Sequence, residues 1–156
     1  MQGDPKVLEQ LNAALSRELT NIAQYFTQAE LCDNWGYSKM GAIHKKRAID
    51  EMKHAEKLIE RIVFLDAVPI IDVKLTPQIG TTVKQQLEFD LDNETETTKI
   101  YNQSVVVCRE CKDDGSRDLF TDLIEDEEEH VDLLEAELHS ISEMGIANFL
   151  QQMSGK

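Results

Sequence analysis

One five-residue pattern, Asp-Glu-x-x-His, occurs twice in this chain, at residues 50–54 and again 76 residues later at 126–130. A glutamate and a histidine three positions apart lie on the same face of an α-helix, so each copy presents a carboxylate beside an imidazole, as a bound cation requires. The same offset of 76 residues relates further pairs: Glu18 and Glu94, Tyr25 and Tyr101, Leu11 and Leu87, Leu15 and Leu91, Leu58 and Leu134, Ile62 and Leu138. We interpret this repeat as the internal duplication of a helical hairpin, with one metal site shared between the two halves.

The length and charge of the chain limit its class and its partners. A chain of 156 residues suits one domain, residues 1–156, with a core of its own. Thirty acidic residues against sixteen basic ones give a net charge of −14, and the basic residues are not clustered, so nucleic acid is not expected as a partner. Because we find neither a long apolar run nor a charged-then-apolar leader after Met1, we expect a soluble, cytoplasmic protein without membrane contact.

The three cysteines are too few for a disulfide framework, which fits a reducing compartment. Cys108-x-x-Cys111 would either bind a metal ion or consist of inert helical thiols.

Helical periodicity predicts five helices, the last of them short and apolar, over these approximate ranges: 4–33, 38–65, 82–111, 116–144 and 146–153. Asp4 followed by Pro5 indicates a helix start, Ser116 is the predicted N-cap of the fourth helix, and Gly145 is its predicted C-cap. The fifth segment would either fold back on the bundle or meet neighbouring subunits. The expected fold class is therefore all-α, a four-helix bundle with a short C-terminal fifth helix.

The connection between the second and third helices is unusually long for a bundle, because periodicity is absent from residue 66 to 81 and Pro69, Pro77 and Gly80 interrupt this stretch. Sixteen extended residues reach roughly 50 Å. A helix of thirty residues spans roughly 45 Å. The connection can therefore cross the length of the bundle, which would make the second and third helices parallel.

Each of the four long helices carries a glutamate within its apolar stripe: Glu18, Glu51, Glu94 and Glu127. On the third helix the predicted stripe is Leu87, Leu91, Glu94, Thr98, Tyr101, Val105 and Cys108. A single buried glutamate is most simply explained by a hydrogen bond in the core. Four carboxylates at one level would repel one another strongly, so we expect a countercharge, which two divalent or trivalent ions would supply.

The candidate ligands match a di-iron carboxylate pattern, in which two helices each give one glutamate and two others each give Glu-x-x-His. They are Glu18, Glu51, His54, Glu94, Glu127 and His130. An oxygen-rich set with one imidazole per ion favours iron or manganese. Tyr25 would hydrogen-bond a ligand carboxylate, donate an electron, or do neither. Asp50 and Asp126 would either hold the imidazole N–H groups or face solvent.

At these residues the chain resembles the bacterioferritins, the haem-containing branch of the ferritin superfamily. The resemblance covers nearly the whole length, and its main stretches are residues 1–7, 11–20, 49–55, 59–62, 126–128 and 145–151. It implies a ferritin-like four-helix bundle in a shell of twenty-four subunits built from two-fold dimers, with two iron ions per subunit and ferroxidase chemistry at the six ligands.

The resemblance also assigns residues outside the six ligands. It implies a b-type haem shared by two subunits with Met52 as its ligand, and a small iron–sulfur ferredoxin as electron donor. By the same resemblance, Asn34, Asp66 and Asp132 would belong to an iron-entry pore. Asn148 and Gln151 would belong to a channel on the four-fold axis.

Two positions depart from the family pattern. Many members carry histidine at position 46, where it helps to hold an additional iron on the cavity wall, but this chain has Lys46. Position 45, commonly tyrosine beside the haem, is Lys45. A lysine near Asp50 should disfavour a wall iron through charge repulsion.

Met52 follows Glu51 directly, so it points about 100° away from the predicted metal centre. It lies in a second apolar stripe that is formed by the first two helices: Ile49, Met52, Ile59 and Val63, with Leu19, Ile22 and Phe26. A two-fold dimer would cover this face and bring two copies of Met52 together. From spacing alone Met52 would be apolar filler; the resemblance favours the haem ligand.

The first functional hypothesis is a ferroxidase that stores and detoxifies iron as a mineral inside a shell. The alternatives are a di-iron protein that scavenges peroxide, a haem-free ferritin-like shell, or an interaction bundle that binds metal for stability alone.

Overall fold

The computed structural model describes residues 1–154; Gly155 and Lys156, which belong to the predicted domain of residues 1–156, lie outside the described residues. The described chain contains five helices and no strand: α1 (Pro5–Asn34), α2 (Ser38–Phe64), α3 (Val83–Glu110), α4 (Asp114–Met144) and α5 (Ile146–Met153). The predicted all-α class, with four long helices and a short C-terminal helix, is confirmed.

Capping side chains account for several helix ends. The Asp4 carboxylate accepts a hydrogen bond from the Lys6 N–H at 2.8 Å, with Pro5 at the first helical position, as predicted. The prediction that Ser116 caps the fourth helix is wrong, because α4 begins two residues earlier and Asp113 is its N-cap. Asp113 accepts from the Ser116 N–H at 2.9 Å and from the Arg61 guanidinium at 2.8 Å, and a hydroxyl offers no comparable ion pair. At the other end Gly145, with φ of 84°, is the C-cap of α4 as predicted.

The long crossover between α2 and α3 lies along α1. Four of its backbone N–H groups donate to side chains spaced along that helix: Ile70 to Asn12, Lys74 to Ser16, Gln78 to Gln24 and Gly80 to Gln28. The acceptors advance along α1 in the same direction as the crossover, so this segment runs parallel to α1. Because α1 and α2 form an antiparallel hairpin, α2 and α3 are parallel, which is the expected topology.

The apolar core has two parts with a polar layer between them. One part contains Leu11 and Leu15 of α1 with Leu58 and Ile62 of α2, and the other contains Cys32, Met40, Leu87, Leu134 and Phe149. On α1 the buried Glu18 lies between these two parts. Since Phe149 is buried in the second part, α5 folds back on its own bundle, which was one of the two expected outcomes.

Candidate metal centre

The structure brings all six predicted ligand side chains together in the polar layer. They form two overlapping groups, in each of which the potential ligand atoms lie within 4.8 Å of one another: Glu18, Glu51, His54 and Glu127, and Glu51, Glu94, Glu127 and His130. All six residues are buried. Glu51 and Glu127 belong to both groups, so the geometry offers two adjacent cation sites that share two carboxylates. Among residues 1–154 these are the only two groups of this kind, and neither includes Cys108 or Cys111.

Each of the six side chains has a buried ligand atom without a hydrogen-bond partner. These atoms are Glu18 Oε2, Glu51 Oε1, His54 Nδ1, Glu94 Oε2, both carboxylate oxygens of Glu127, and His130 Nδ1. His54 Nδ1 does approach Glu127 Oε1 at 2.9 Å, but the two atoms lack hydrogen-bond geometry. Buried polar atoms are normally paired, and unpaired ones cost stability, so a converging set of lone pairs fits bound cations.

The pKa values of the glutamates and histidines in this cluster also indicate that it requires positive charge. Burial and the charge of Glu18 raise the pKa of Glu51 to about 7. Burial and the charges of the neighbouring glutamates raise the pKa of Glu127 well above its usual value. Burial lowers the pKa of His54, but Glu18 and Glu51 outweigh it and raise the pKa to about 11. The pKa of His130 is raised to about 9, chiefly by Glu94 against the effect of burial. Protons thus supply part of the positive charge that this cluster needs when no metal ion is present.

The two aspartates of the repeated pattern contact the imidazoles, and they do so across the duplication. Asp126 Oδ2 lies 3.0 Å from His54 Nε2, and Asp50 Oδ2 lies 3.2 Å from His130 Nε2. An N–H donated from Nε2 leaves Nδ1 directed into the cluster, which is the orientation that a metal ligand needs. Asp50 and Asp126 were expected either to hold the imidazole N–H groups or to face solvent. These contacts place them beside the imidazoles, where they orient the two histidines.

Tyr25, in the first half of the duplicated sequence, hydrogen-bonds a glutamate of the second half. Tyr101 is its counterpart in the second half, and it was not among the predicted site residues. The Tyr25 hydroxyl donates to Glu94 Oε1 at 2.6 Å, and the hydroxyl of Tyr101 donates to Glu18 Oε1 at 2.6 Å. Burial raises the pKa of both tyrosines well above the usual value, so both remain donors. The 76-residue offset already related these two tyrosines, and a role given to one could have been given to the other.

A second buried polar cluster, also missed from the sequence, lies on α1, α2 and α3 near the crossover. Asp90 accepts hydrogen bonds from Gln24 at 2.8 Å and from Gln28 at 2.9 Å. Burial raises the pKa of Asp90 to about 7. The neighbouring His44 contacts Gln86 Oε1 at 3.0 Å, and burial lowers its pKa to about 3. Gln24 and Gln28 also accept from the crossover backbone, so this cluster joins the crossover to the bundle.

A cavity of about 490 Å³ connects His54 and His130 with the protein surface. Asp50 and Lys46 lie in its wall, and the Lys46 ammonium is 3.2 Å from Asp50 Oδ2. Burial opposes ionisation of Asp50, but hydrogen bonds from His130 and Lys46 hold its pKa below the usual value. The Lys46 ammonium is thus paired with the Asp50 carboxylate in the wall of this cavity.

The remaining predicted residues lie outside this centre. Met52 is 46 % exposed on the outer face of α2, the face that also carries the exposed Ile49 and Val63. Asn34 and Asp66 lie at opposite ends of the α1–α2 hairpin, so one chain does not bring these two together. Asn148 and Gln151 lie together on α5, where they line one shallow surface depression.

The fold and the site define a ferritin-like protein: a four-helix bundle with a long crossover and two carboxylate–histidine groups in its interior. The family model of the ferritin-like domain matches residues 8–144. Within the described chain, no helix has the length and apolar character needed to cross a membrane.

Sequence comparison with named relatives shows which group of ferritin-like proteins the chain resembles. The chain is 42 % identical over 150 residues to a protein named bacterioferritin from Rhodobacter capsulatus, covering 96 % of this chain and 92 % of the relative. It is 38 % identical over 152 residues to the bacterioferritin of Mycolicibacterium paratuberculosis, covering 97 % and 96 %. It is 39 % identical over 145 residues to that of Brucella melitensis, covering 93 % and 90 %. The chain belongs to the bacterioferritin family.

Proposed function

We propose that this protein stores iron, and that it oxidises Fe²⁺ at the buried cluster before depositing it as a ferric mineral. The observation that carries the proposal is that six buried side chains from four helices direct unpartnered ligand atoms into one pair of sites. Membership of the bacterioferritin family supports iron as the cation, because ferritins are iron-storage proteins.

The ligand groups give each substrate ion a similar surrounding. Glu18 and His54 would hold one Fe²⁺, Glu94 and His130 the other, and Glu51 and Glu127 would bridge them. Two adjacent Fe²⁺ ions provide the two electrons that reduce O₂ to H₂O₂, or H₂O₂ to water. Asp126 and Asp50 keep the imidazole Nδ1 atoms directed at the ions, and Tyr101 and Tyr25 restrain the terminal glutamates.

This part of the proposal is tested by the rate of Fe³⁺ formation in stopped-flow absorbance. Glu51→Ala and His130→Ala should leave the assembly intact and slow oxidation strongly, because each removes a ligand. Glu128→Ala is the matched control, since Glu128 neighbours Glu127 on α4 but is exposed. Oxidation at the wild-type rate in either ligand variant would show that the centre lies elsewhere. Consumption of H₂O₂ without retained mineral would instead favour the peroxide-scavenging alternative.

The lysine at position 46 affects whether the cavity wall can hold an additional iron ion. The lysine neutralises Asp50, so we propose that the protein works without an additional iron on the cavity wall, with iron passing through the catalytic pair towards the mineral. Anomalous density between Lys46 and Asp50 in crystals soaked with Fe²⁺ would refute this.

We also propose that a b-type haem binds between two subunits, with one Met52 thioether from each. The residues present fit the group, because Met52 is exposed on the face of α2 that also carries the exposed Ile49 and Val63, and a two-fold dimer would cover this apolar face. A haem with two sulfur ligands would supply electrons for iron release, received from a small iron–sulfur ferredoxin. Met52→Leu should remove the Soret band while the shell and iron oxidation persist. Absence of that band in wild-type protein after haem reconstitution would end the proposal.

Assembly into a shell of twenty-four chains built from two-fold dimers is the structural part of the proposal. Sedimentation at the mass of twenty-four chains, with many iron ions retained per chain, is the expected result. A dimer without iron uptake would contradict storage. Cytoplasmic location remains a prediction from the sequence.

A further inference from the structure

Two polar side chains, Asn21 and Asn93, connect Glu51 to the buried cation Arg17. Asn21 Nδ2 donates to Glu51 Oε2 at 2.9 Å, and Asn93 Nδ2 donates to Asn21 Oδ1 at 2.6 Å. Arg17 Nη2 donates in turn to Asn93 Oδ1 at 3.3 Å, and Arg17 Nε donates to Thr97 Oγ1 at 2.6 Å. Arg17 is only 9 % exposed, and its guanidinium donates to Thr97 and Asn93.

The two ends of this chain of side chains orient its hydrogen bonds. A guanidinium has donors and no acceptor, and Arg17 Nη2 donates both to the Asn93 backbone carbonyl and to Asn93 Oδ1 at 3.3 Å, which leaves the Asn93 amide nitrogen for Asn21. Asn21 then accepts with its carbonyl oxygen and directs its own amide nitrogen at Glu51. The relay therefore always presents a donor to the Glu51 carboxylate.

The other shared carboxylate, Glu127, has no equivalent relay within the described residues, and its oxygens approach other candidate ligands, His54 Nδ1 at 2.9 Å and His130 Nδ1 at 3.4 Å. The 76-residue offset relates Arg17 to Asn93 and Asn21 to Thr97, so Thr97 is the counterpart of Asn21 in the second half. Its hydroxyl accepts from Arg17 and donates to the Asn93 carbonyl at 2.8 Å, and it makes no hydrogen bond to Glu127. Both Glu127 oxygens are without a hydrogen-bond partner, whereas Glu51 has only Oε1 free. The two halves of the duplicated sequence therefore differ in how they hold the shared ligands, Glu51 and Glu127.

We propose that Arg17, Asn93 and Asn21 are positioning residues that hold Glu51 as the fixed bridge, and that Glu127 is the bridge that turns when metal ions enter or leave. This inference rests on the proposed function, since it requires two ions that share both glutamates. A fixed Glu51 keeps the two sites shaped before metal arrives, and a free Glu127 lets the ions exchange without loss of both shared ligands at once.

The affinity test is an anaerobic titration with Co²⁺, which is not oxidised by O₂ under mild conditions and reports its ligands through visible absorption. Wild-type protein should bind two Co²⁺ per chain. Asn21→Ala should weaken binding by about 10- to 100-fold, the usual effect of removing a group that orients a ligand. Adding Asn93→Leu to Asn21→Ala should cost no further affinity, because the relay is already cut. Asn102→Ala is the control, since this exposed amide of α3 bonds only the Thr98 carbonyl.

Each outcome separates the relay from its alternatives. Wild-type affinity in Asn21→Ala, or a second loss of equal size from Asn93→Leu, would overturn the relay. A lowered melting temperature of the metal-free variant with unchanged affinity would show a purely structural role and would also overturn it. Failure of the wild-type chain to bind two Co²⁺ would instead overturn the proposed function.

Crystal structures test the motion directly. Between metal-free and Co²⁺-loaded wild-type crystals, the Glu51 side-chain torsions should be unchanged and those of Glu127 should differ. In Asn21→Ala crystals both glutamates should differ. Movement of Glu51 with a stationary Glu127 in the wild-type pair would contradict the inference.

Discussion

Tyr101→Phe removes one hydroxyl group from the candidate metal centre and leaves the aromatic ring in place. The lost group donates a 2.6 Å hydrogen bond to Glu18 Oε1, and both residues are fully buried. The ring retains its edge-on contact with Phe120, whose centroid is 5.6 Å away. A hydrogen bond to a charged group contributes about 1.5–3 kcal/mol, and burial leaves the carboxylate oxygen without water as a substitute. We therefore expect the metal-free protein to lose about 2 kcal/mol of its free energy of unfolding.

For a chain of this size, that loss corresponds to a decrease of about 4–8 °C in melting temperature. The assay is urea denaturation of metal-free protein, followed by circular dichroism at constant subunit concentration. Tyr25→Phe should have a similar effect through Glu94, because its hydroxyl makes the equivalent 2.6 Å hydrogen bond. Tyr37→Phe is the control, since Tyr37 packs in the second core cluster and not at the centre. An unchanged denaturation midpoint in Tyr101→Phe would refute the argument that this hydroxyl restrains a ligand.

Three further predictions concern protonation, the crossover and α5. Co²⁺ affinity at the site containing His130 should rise about tenfold per pH unit below pH 9, because this histidine, with its pKa of about 9, must lose a proton to bind; a flat pH profile in isothermal titration calorimetry would contradict this. Gly80→Ala should lower the free energy of unfolding, measured by urea denaturation, by about 1–3 kcal/mol, because a Cβ there would overlap the backbone nitrogen of Gln86. Phe149→Ala should cost about 3 kcal/mol in the same assay, since this side chain is 3 % exposed in the core; a neutral effect would mean that α5 does not stabilise its own bundle.

The metal-free protein should also lose stability as pH rises from 6 to 9. The raised pKa of His130 contributes stability below its unfolded value of 6.5, and this contribution is lost as pH passes about 9. The raised pKa of Glu51, about 7, adds a penalty that develops between pH 4.5 and 7. The two effects have the same sign, so bound metal should stabilise the protein more at pH 9 than at pH 6.

The sequence was most informative where periodicity and duplication acted together. The ligand glutamates could be predicted because the apolar stripes fix which face of each helix is buried, and the repeat relates Glu18 to Glu94 and Glu51 to Glu127. The length of the crossover allowed a parallel arrangement of α2 and α3 to be expected. These features depend on spacing along the chain, which a sequence states directly.

Contacts between helices were harder to predict from the sequence. The relay from Arg17 to Glu51 depends on the rotation of α1 against α3, to which helical periodicity is insensitive. On α3 the predicted stripe contained Thr98, but the structure buries Thr97, because polar hydrogen bonds to Arg17 let a hydrophilic position face the interior. The choice of Ser116 as a cap was wrong for a related reason, since the Arg61 ion pair that favours Asp113 comes from another helix.

A crystal structure of the protein after anaerobic Fe²⁺ soaking, with anomalous data collected at the iron edge, tests directly whether the buried cluster holds two iron ions. We expect two anomalous peaks per chain, both in contact with Glu51 and Glu127. One peak should also contact Glu18 and His54, and the other Glu94 and His130. Peaks confined to other positions, or an empty cluster at saturating Fe²⁺, would contradict this expectation.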